Sequence, residues 1–159
     1  MSSPTDPAPG TPSSPQASEG DSSRTWVHRV RVRYGETDQM GVAHHGSYVA
    51  YLEEARTEWM RALGTAYADL ERAGVGLPVR TMNLRYRAAA HYEEELDVEI
   101  RVARLRPVAV TFGYRILRSG TEAVLVEAEV ELACVDLSVR PLRPRPLPEG
   151  LFEALRSVS

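Results

Sequence analysis

Residues 48–63 read Tyr48-Val49-Ala50-Tyr51-Leu52-Glu53-Glu54-Ala55-Arg56-Thr57-Glu58-Trp59-Met60-Arg61-Ala62-Leu63, and this stretch breaks the period of everything around it. Tyr48, Leu52, Ala55, Trp59 and Leu63 recur at spacings of four, three, four and four. Glu53, Glu54, Arg56, Thr57, Glu58 and Arg61 take the rest of the circumference, which is the pattern of an amphipathic helix of about four to five turns. Gly64 interrupts it, and Thr65 to Ala73 reads as a short second helix stopped by Gly74.

On both sides the apolar period is two. Upstream, Val30, Val32 and Tyr34 alternate with Arg29, Arg31 and Arg33. Downstream, Leu84 and Tyr86 alternate with Asn83, Arg85 and Arg87, and Leu96, Val98, Ile100 and Val102 with Asp97, Glu99 and Arg101. Val108, Val110, Phe112, Tyr114 and Ile116 follow an Arg106-Pro107 turn. Val124, Val126, Ala128, Val130 and Leu132 follow a Ser119-Gly120 turn, opposite Glu127, Glu129 and Glu131. Alternation of this kind predicts five antiparallel strands, each with one polar face. The order strand, long helix, four strands leaves one helix to cover the apolar side of the whole sheet. A five-stranded antiparallel sheet wrapped around one long central helix, an α+β fold, is the economical solution. A single helix covers such a sheet poorly, so self-association through strand edges or the remaining face is expected.

The ends have a different character. Met1 to Arg24 carries five of the eleven prolines, seven serines and no aromatic or large branched apolar residue. Such a segment cannot bury enough surface to offset ordering entropy, so residues 1–24 are expected to form a disordered Pro/Ser-rich tail. The domain is then expected over 25–142, followed by a Pro-rich extension over 143–159 with a short closing helix from Glu149 to Val158. The 159 residues suit one core, and 43% apolar with 26% charged is an ordinary globular composition. A formal charge of -3 gives no electrostatic reason to expect nucleic acid. All 19 basic residues are Arg, which excludes Schiff-base and pyridoxal chemistry and a P-loop lysine. The one cysteine, Cys134, falls in an apolar alternation and reads as a buried thiol. No stretch reaches the roughly 18 apolar residues of a membrane span, and no secretory leader is visible, so the cytoplasm is the expected compartment.

Between the first strand and the helix the chain reads Tyr34-Gly35-Glu36-Thr37-Asp38-Gln39-Met40-Gly41-Val42-Ala43-His44-His45-Gly46-Ser47-Tyr48. Two carboxylates, two histidines and three glycines gather where a plain turn would suffice. With the helix starting near Ser47, the unpaired N–H groups of its first turn and the positive end of its dipole point into this loop, where they could receive a developing oxyanion. An acyl thioester needs little more: backbone donors polarise its carbonyl, and a carboxylate attacks it directly or activates water. Asp38 is the natural carboxylate.

The motif Tyr34-x-x-Thr37-Asp38-x-x-Gly41-x-x-x-His45-x-x-Tyr48, followed by Glu54-Ala55-Arg56-Thr57-Glu58-Trp59, resembles the hot-dog-fold acyl-CoA thioesterases of the 4-hydroxybenzoyl-CoA thioesterase type. The likeness covers Arg29 to about Leu142. It implies a catalytic carboxylate at Asp38, with His45 at the helix N-terminus binding and polarising the thioester carbonyl. Tyr34, Gly41, Gly46 and Tyr48 would lie around the substrate. It further implies no cofactor beyond the CoA of the substrate, and a homodimer with a continuous sheet, usually paired into a homotetramer, with active sites at the subunit interface. Two departures stand out. Ala88-Ala89-Ala90 replaces a stretch where the family often has a proline and a basic residue, so Arg85 or Arg87 would have to meet the CoA phosphates. His44 stands where the family commonly has an aromatic residue.

Each of these residues also has a plainer role open to it. Asp38 suits a turn, His45 a helix cap, Tyr34 the core side of its strand, and His44 the loop surface. Arg85, Arg87, Arg101, Arg104 and Arg106 serve equally well as phosphate ligands or as exposed strand residues balancing glutamates. Neighbouring histidines rarely share one tetrahedral ion, so Asp38, His44, His45, Glu53 and Glu54 are not expected to hold a metal. A non-catalytic acyl-CoA or lipid-binding module of the same fold is the alternative function.

Overall fold

The computed structural model describes residues 25–159; the tail expected over residues 1–24 lies outside them. Strand β1 (Trp26–Arg31) leads through a single 3-10 turn (Tyr34–Glu36) and a short loop into helix α1 (His45–Ala62). A second helix α2 (Tyr67–Arg72), a two-residue strand β2 (Val75–Gly76) and strand β3 (Val79–Tyr86) follow. Next come the long strands β4 (Glu95–Arg106), β5 (Ala109–Arg118) and β6 (Val124–Ala133), then the short β7 (Val135–Asp136) and β8 (Arg143–Pro144), and helix α3 (Glu149–Ser157). The five strands read from the alternation form one antiparallel sheet in the order β1-β4-β5-β6-β3. A smaller sheet, β2-β7-β8, was not foreseeable from periodicity, because two-residue strands carry none.

The register explains the two faces. One transverse row runs Trp26, Ile100, Tyr114, Ala128, Leu84 across all five strands, and it faces α1. The adjacent row runs Val27, Glu99, Arg115, Glu127, Arg85 and faces outward, with Arg115 3.3 Å from Glu99. Helix α1 buries Tyr48, Tyr51, Leu52, Ala55, Trp59 and Met60 against the inner row, and the Trp59 ring meets Phe112 edge-on at 5.9 Å. Fully burying an apolar side chain of this size stabilises by about 1.5–3 kcal/mol, so this face supplies the main force holding helix to sheet. Arg56 is buried in the same seam, where its Nε donates to the Tyr67 hydroxyl at 2.9 Å and ties α2 to α1. Leu147, Leu151 and Leu155, leading into and along α3, join the same core, as does Cys134.

One expectation about the first strand fails. The alternation ends at Val32, which is fully buried; Tyr34 opens the 3-10 turn and is 79% exposed. The chain must swing out of the sheet at that point to reach the helix, and the turn rotates Tyr34 off the core face. Its ring instead meets Tyr92 edge-on, 5.8 Å between centroids. A core role for Tyr34 is thereby excluded.

Candidate active site

The loop between the 3-10 turn and α1 is built by its own backbone bonds. Asp38 N–H donates to Val42 O at 2.9 Å, Gly41 N–H donates to Asp38 O at 3.0 Å, and Thr37 pairs with Ala43 as an isolated bridge. The turn needs φ +75° at Gly41, a left-handed value that costs a side-chain-bearing residue, so the glycine is a conformational requirement there. Asp38 Oδ1 accepts from Met40 N–H at 2.8 Å, an Asx turn that fixes the carboxylate at the loop tip. The side chain is half-buried, and Oδ2 has no partner among the described residues. The turn role and a chemical role for Asp38 are therefore compatible: one oxygen holds the loop and the other is available.

The loop is clamped from behind by residues Ala88 to His91. Val42 pairs with His91, and Ala43 N–H donates to Ala90 O at 2.8 Å. Ala90 N–H in turn donates to the Tyr48 hydroxyl at 3.0 Å. Tyr48 is 2% exposed, so its phenol is committed to the scaffold directly under the helix start. Burial holds its pKa above the ordinary tyrosine value. Glu94 and Arg118 brace the same segment: Arg118 Nε reaches Glu94 at 3.0 Å and its Nη2 reaches Ala89 O at 3.2 Å.

At the helix N-terminus the first-turn amides are unevenly used. His44 is the N-cap, and its Nδ1 accepts from Gly46 N–H at 3.1 Å. Ser47 N–H donates to His44 O at 2.9 Å. His45 N–H has no acceptor among the described residues. The helix, expected to start near Ser47, begins two residues earlier at His45, and the cap falls not to His45 but to the imidazole of His44, a residue type that N-cap preferences do not favour. The Ser47 hydroxyl instead donates to Glu36 O at 3.0 Å. Gly46, placed around the substrate by the resemblance, thus has its amide already satisfied by His44.

Tyr86, which the alternation places only as a strand residue, also borders the helix start. It lies on edge strand β3, is 48% exposed, donates its hydroxyl to His45 O at 3.0 Å and packs edge-on against Tyr48 at 5.6 Å. Its inner parity was readable from Leu84 and Tyr86; its register against the helix start was not. The same parity puts Arg85 and Arg87 on the outer face, so a single chain does not gather them with Asp38. Arg87 binds Glu127 Oε2 through Nε at 3.0 Å and Nη2 at 2.7 Å. Arg85 makes no ion pair among the described residues and lines an outer-face depression of about 800 Å³ with Asn83, Glu99, Arg101, Gly113 and Glu129. That depression does not reach Asp38 or His45. Among the described residues no three His, Cys, Asp or Glu side chains cluster as metal ligands, and no helix is long and apolar enough to cross a membrane.

The five-stranded antiparallel sheet wrapped around one long helix is a hot-dog architecture. The family model of the thioesterase-like superfamily matches residues 32–155, and the chain belongs to that superfamily. Among its relatives, the acyl-CoA thioester hydrolase YbgC of Escherichia coli O6:H1 is 36% identical over 122 residues, 77% of this chain and 89% of that protein. The DHNA-CoA thioesterase of Staphylococcus aureus superposes with a TM-score of 0.78 at 29% identity, covering 84% of this chain and 90% of that one. A 4-hydroxybenzoyl CoA thioesterase variant in complex with 4-hydroxybenzoyl CoA shares the fold, with a TM-score of 0.75 at 17% identity over 83% of this chain and 99% of that one.

Proposed function

We infer that this chain is an acyl-CoA thioester hydrolase, releasing a free acid and CoA. The superfamily and the relatives' activities support the reaction class. The observation that carries the mechanism is the pairing of a half-free Asp38 carboxylate with the unsatisfied His45 amide across one rigid loop. The thioester carbonyl oxygen is received by His45 N–H at the positive end of α1, and Asp38 either attacks the carbonyl carbon or takes a proton from an attacking water. The thiolate of CoA then leaves; where Asp38 is the nucleophile, water hydrolyses the mixed anhydride so formed, releasing the acid and restoring the carboxylate. In this assignment the backbone of His45 matters more than its imidazole, which lies against that of His44, ring centroids 4.0 Å apart and planes tilted by 36°. No cofactor enters, CoA being part of the substrate, and the cytoplasm is the compartment proposed.

The same proposal includes a homodimer joined along β3, itself able to pair into a homotetramer. Strand β3 is an edge, exposes Val79, Met82 and Tyr86, and runs beside the helix start through the Tyr86 bond. A partner strand added there would bring its own groups, and the exposed Tyr34 and Met40, to the site mouth. Light scattering that returns a monomer would remove this part.

The decisive assay is thiol release across short aliphatic, long aliphatic and aromatic acyl-CoA thioesters. Asp38→Asn should lower turnover by at least ~10²-fold while leaving fold and oligomeric state unchanged, the range typical of a positioned acid, base or nucleophile. Near-normal hydrolysis by that variant refutes the assignment of Asp38. Tight acyl-CoA binding by the wild type without thiol release would make the chain a binding module instead.

A further inference from the structure

Glu36 is the second carboxylate of the loop, and its two polar ends grip different parts of α1. Its backbone carbonyl accepts from His44 N–H at 2.7 Å and from the Ser47 hydroxyl at 3.0 Å, fixing the residue that caps the helix. Its side-chain Oε2 accepts from the Tyr51 hydroxyl at 2.7 Å and from Arg33 N–H at 2.8 Å. Tyr51 is 3% exposed and lies six residues into α1, so its phenol is an anchor within the packed core rather than a surface group. Burial, together with the Glu36 carboxylate beside it, holds that phenol well above the ordinary tyrosine pKa, which keeps it a donor. One residue therefore ties the start of the Asp38 loop to both the cap and the second turn of the helix.

We propose that Glu36 and Tyr51 form a positioning pair for thioester hydrolysis, holding the Asp38 loop at the distance from the α1 N-terminus that lets the acid and the amide act on one carbonyl. This rests on the roles given to Asp38 and His45 above. Neither member of the pair touches the reacting atoms. Their contribution is geometric, and small misplacements of catalytic groups are costly, about 10²-fold for roughly 1 Å. The function of Glu36 is then acceptance of hydrogen bonds and not charge or proton transfer, so an amide oxygen at the same place is an adequate replacement.

The test is steady-state acyl-CoA hydrolysis by Glu36→Ala, Glu36→Gln, Tyr51→Phe and the Glu36→Ala/Tyr51→Phe double variant, with Asp38→Asn run alongside. Tyr51→Phe keeps the ring and its packing, and thermal denaturation confirms that each variant is folded at the assay temperature. Expected are a fall in kcat of about tenfold for Tyr51→Phe and for Glu36→Ala, with KM within about twofold. Glu36→Gln recovers most of kcat. The double variant is no slower than Glu36→Ala alone, since the two side chains act as a unit. Wild-type kcat in Tyr51→Phe overturns the pairing. Loss in Glu36→Gln as deep as in Glu36→Ala makes Glu36 a charge-dependent or proton-transferring group and overturns a purely positioning role. Multiplicative losses in the double variant overturn coupling. If Asp38→Asn retains full activity, the underlying assignment of the site has failed, which is distinct from Asp38→Asn being inactive while Tyr51→Phe is unaffected.

Discussion

Replacing Tyr48 by Phe separates two uses of one hydroxyl. On the motif alone Tyr48 lies among the substrate contacts; in the folded chain its oxygen accepts from Ala90 N–H at 3.0 Å, and both residues are buried, Ala90 completely. The substitution keeps the ring that packs on Tyr51 and Tyr86 but leaves the Ala90 amide without an acceptor in a dry site. An unsatisfied buried amide costs about 1–3 kcal/mol. For a chain of this length that corresponds to a fall in Tm of about 3–10 °C. Thermal denaturation followed by circular dichroism, at one fixed protein concentration because association shifts Tm, measures it. Well below the transition kcat/KM should stay within a few-fold of wild type, because the Ala43 to Ala90 bond still holds the loop. An unchanged Tm with a collapse of kcat/KM would refute this, and would mean that the hydroxyl is spent on substrate and not on the scaffold.

Two further outcomes follow from contacts at the same end of the molecule. His44→Ala removes the acceptor for Gly46 N–H and should cost about 1 kcal/mol, whereas His44→Asn, which can cap the helix with its side-chain oxygen, should restore most of it; equal stability of the two variants in urea titration would show that the imidazole is not the cap. For Glu94, desolvation raises the pKa, but the His91 amide and the Arg118 guanidinium outweigh it and hold the carboxyl below its ordinary value of 4.5. A folded pKa below the unfolded one means that the stabilisation is complete above about pH 4.5 and is lost as pH falls through the lower folded value. Glu94→Gln should therefore lose less stability than wild type between pH 5 and pH 3, and parallel acid limbs for the two proteins would contradict the shift.

The central helix and the five long strands were legible because their patterns are local. Tyr48, Leu52, Ala55 and Trp59 can share a face only at helical pitch, and Leu96, Val98, Ile100 and Val102 only at strand pitch, whatever they pack against. Strand order is a different kind of information. Nothing in the residues of β3 says that it pairs with β6 at the far edge while β1 pairs with β4, since either pairing buries the same alternating side chains. Tyr34 shows the limit within a single strand: it continues the alternation of Val30 and Val32, yet the 3-10 turn it opens takes it out of the core.

The site divides in the same way. Asp38 and Gly41 could be found because a tight loop makes demands on residue type, a short side chain that caps its own turn and a glycine at positive φ. Glu36, His44 and Tyr86 could not, because each matters through a partner chosen by the fold: the Tyr51 phenol, the Gly46 amide and the His45 carbonyl. Arg85 and Arg87 pose the opposite problem, being legible as phosphate ligands by type and legible by parity as facing away. Tyr86 touches the helix start on the inner side of β3, so its neighbours Arg85 and Arg87 lie on the outer side of the same strand. If Asp38 and His45 hold an acyl-CoA, the Arg85 and Arg87 guanidinium groups can meet it only around the β3 edge or from a second chain paired along it. The proposed phosphate contacts of Arg85 and Arg87 therefore depend on the proposed dimer along β3.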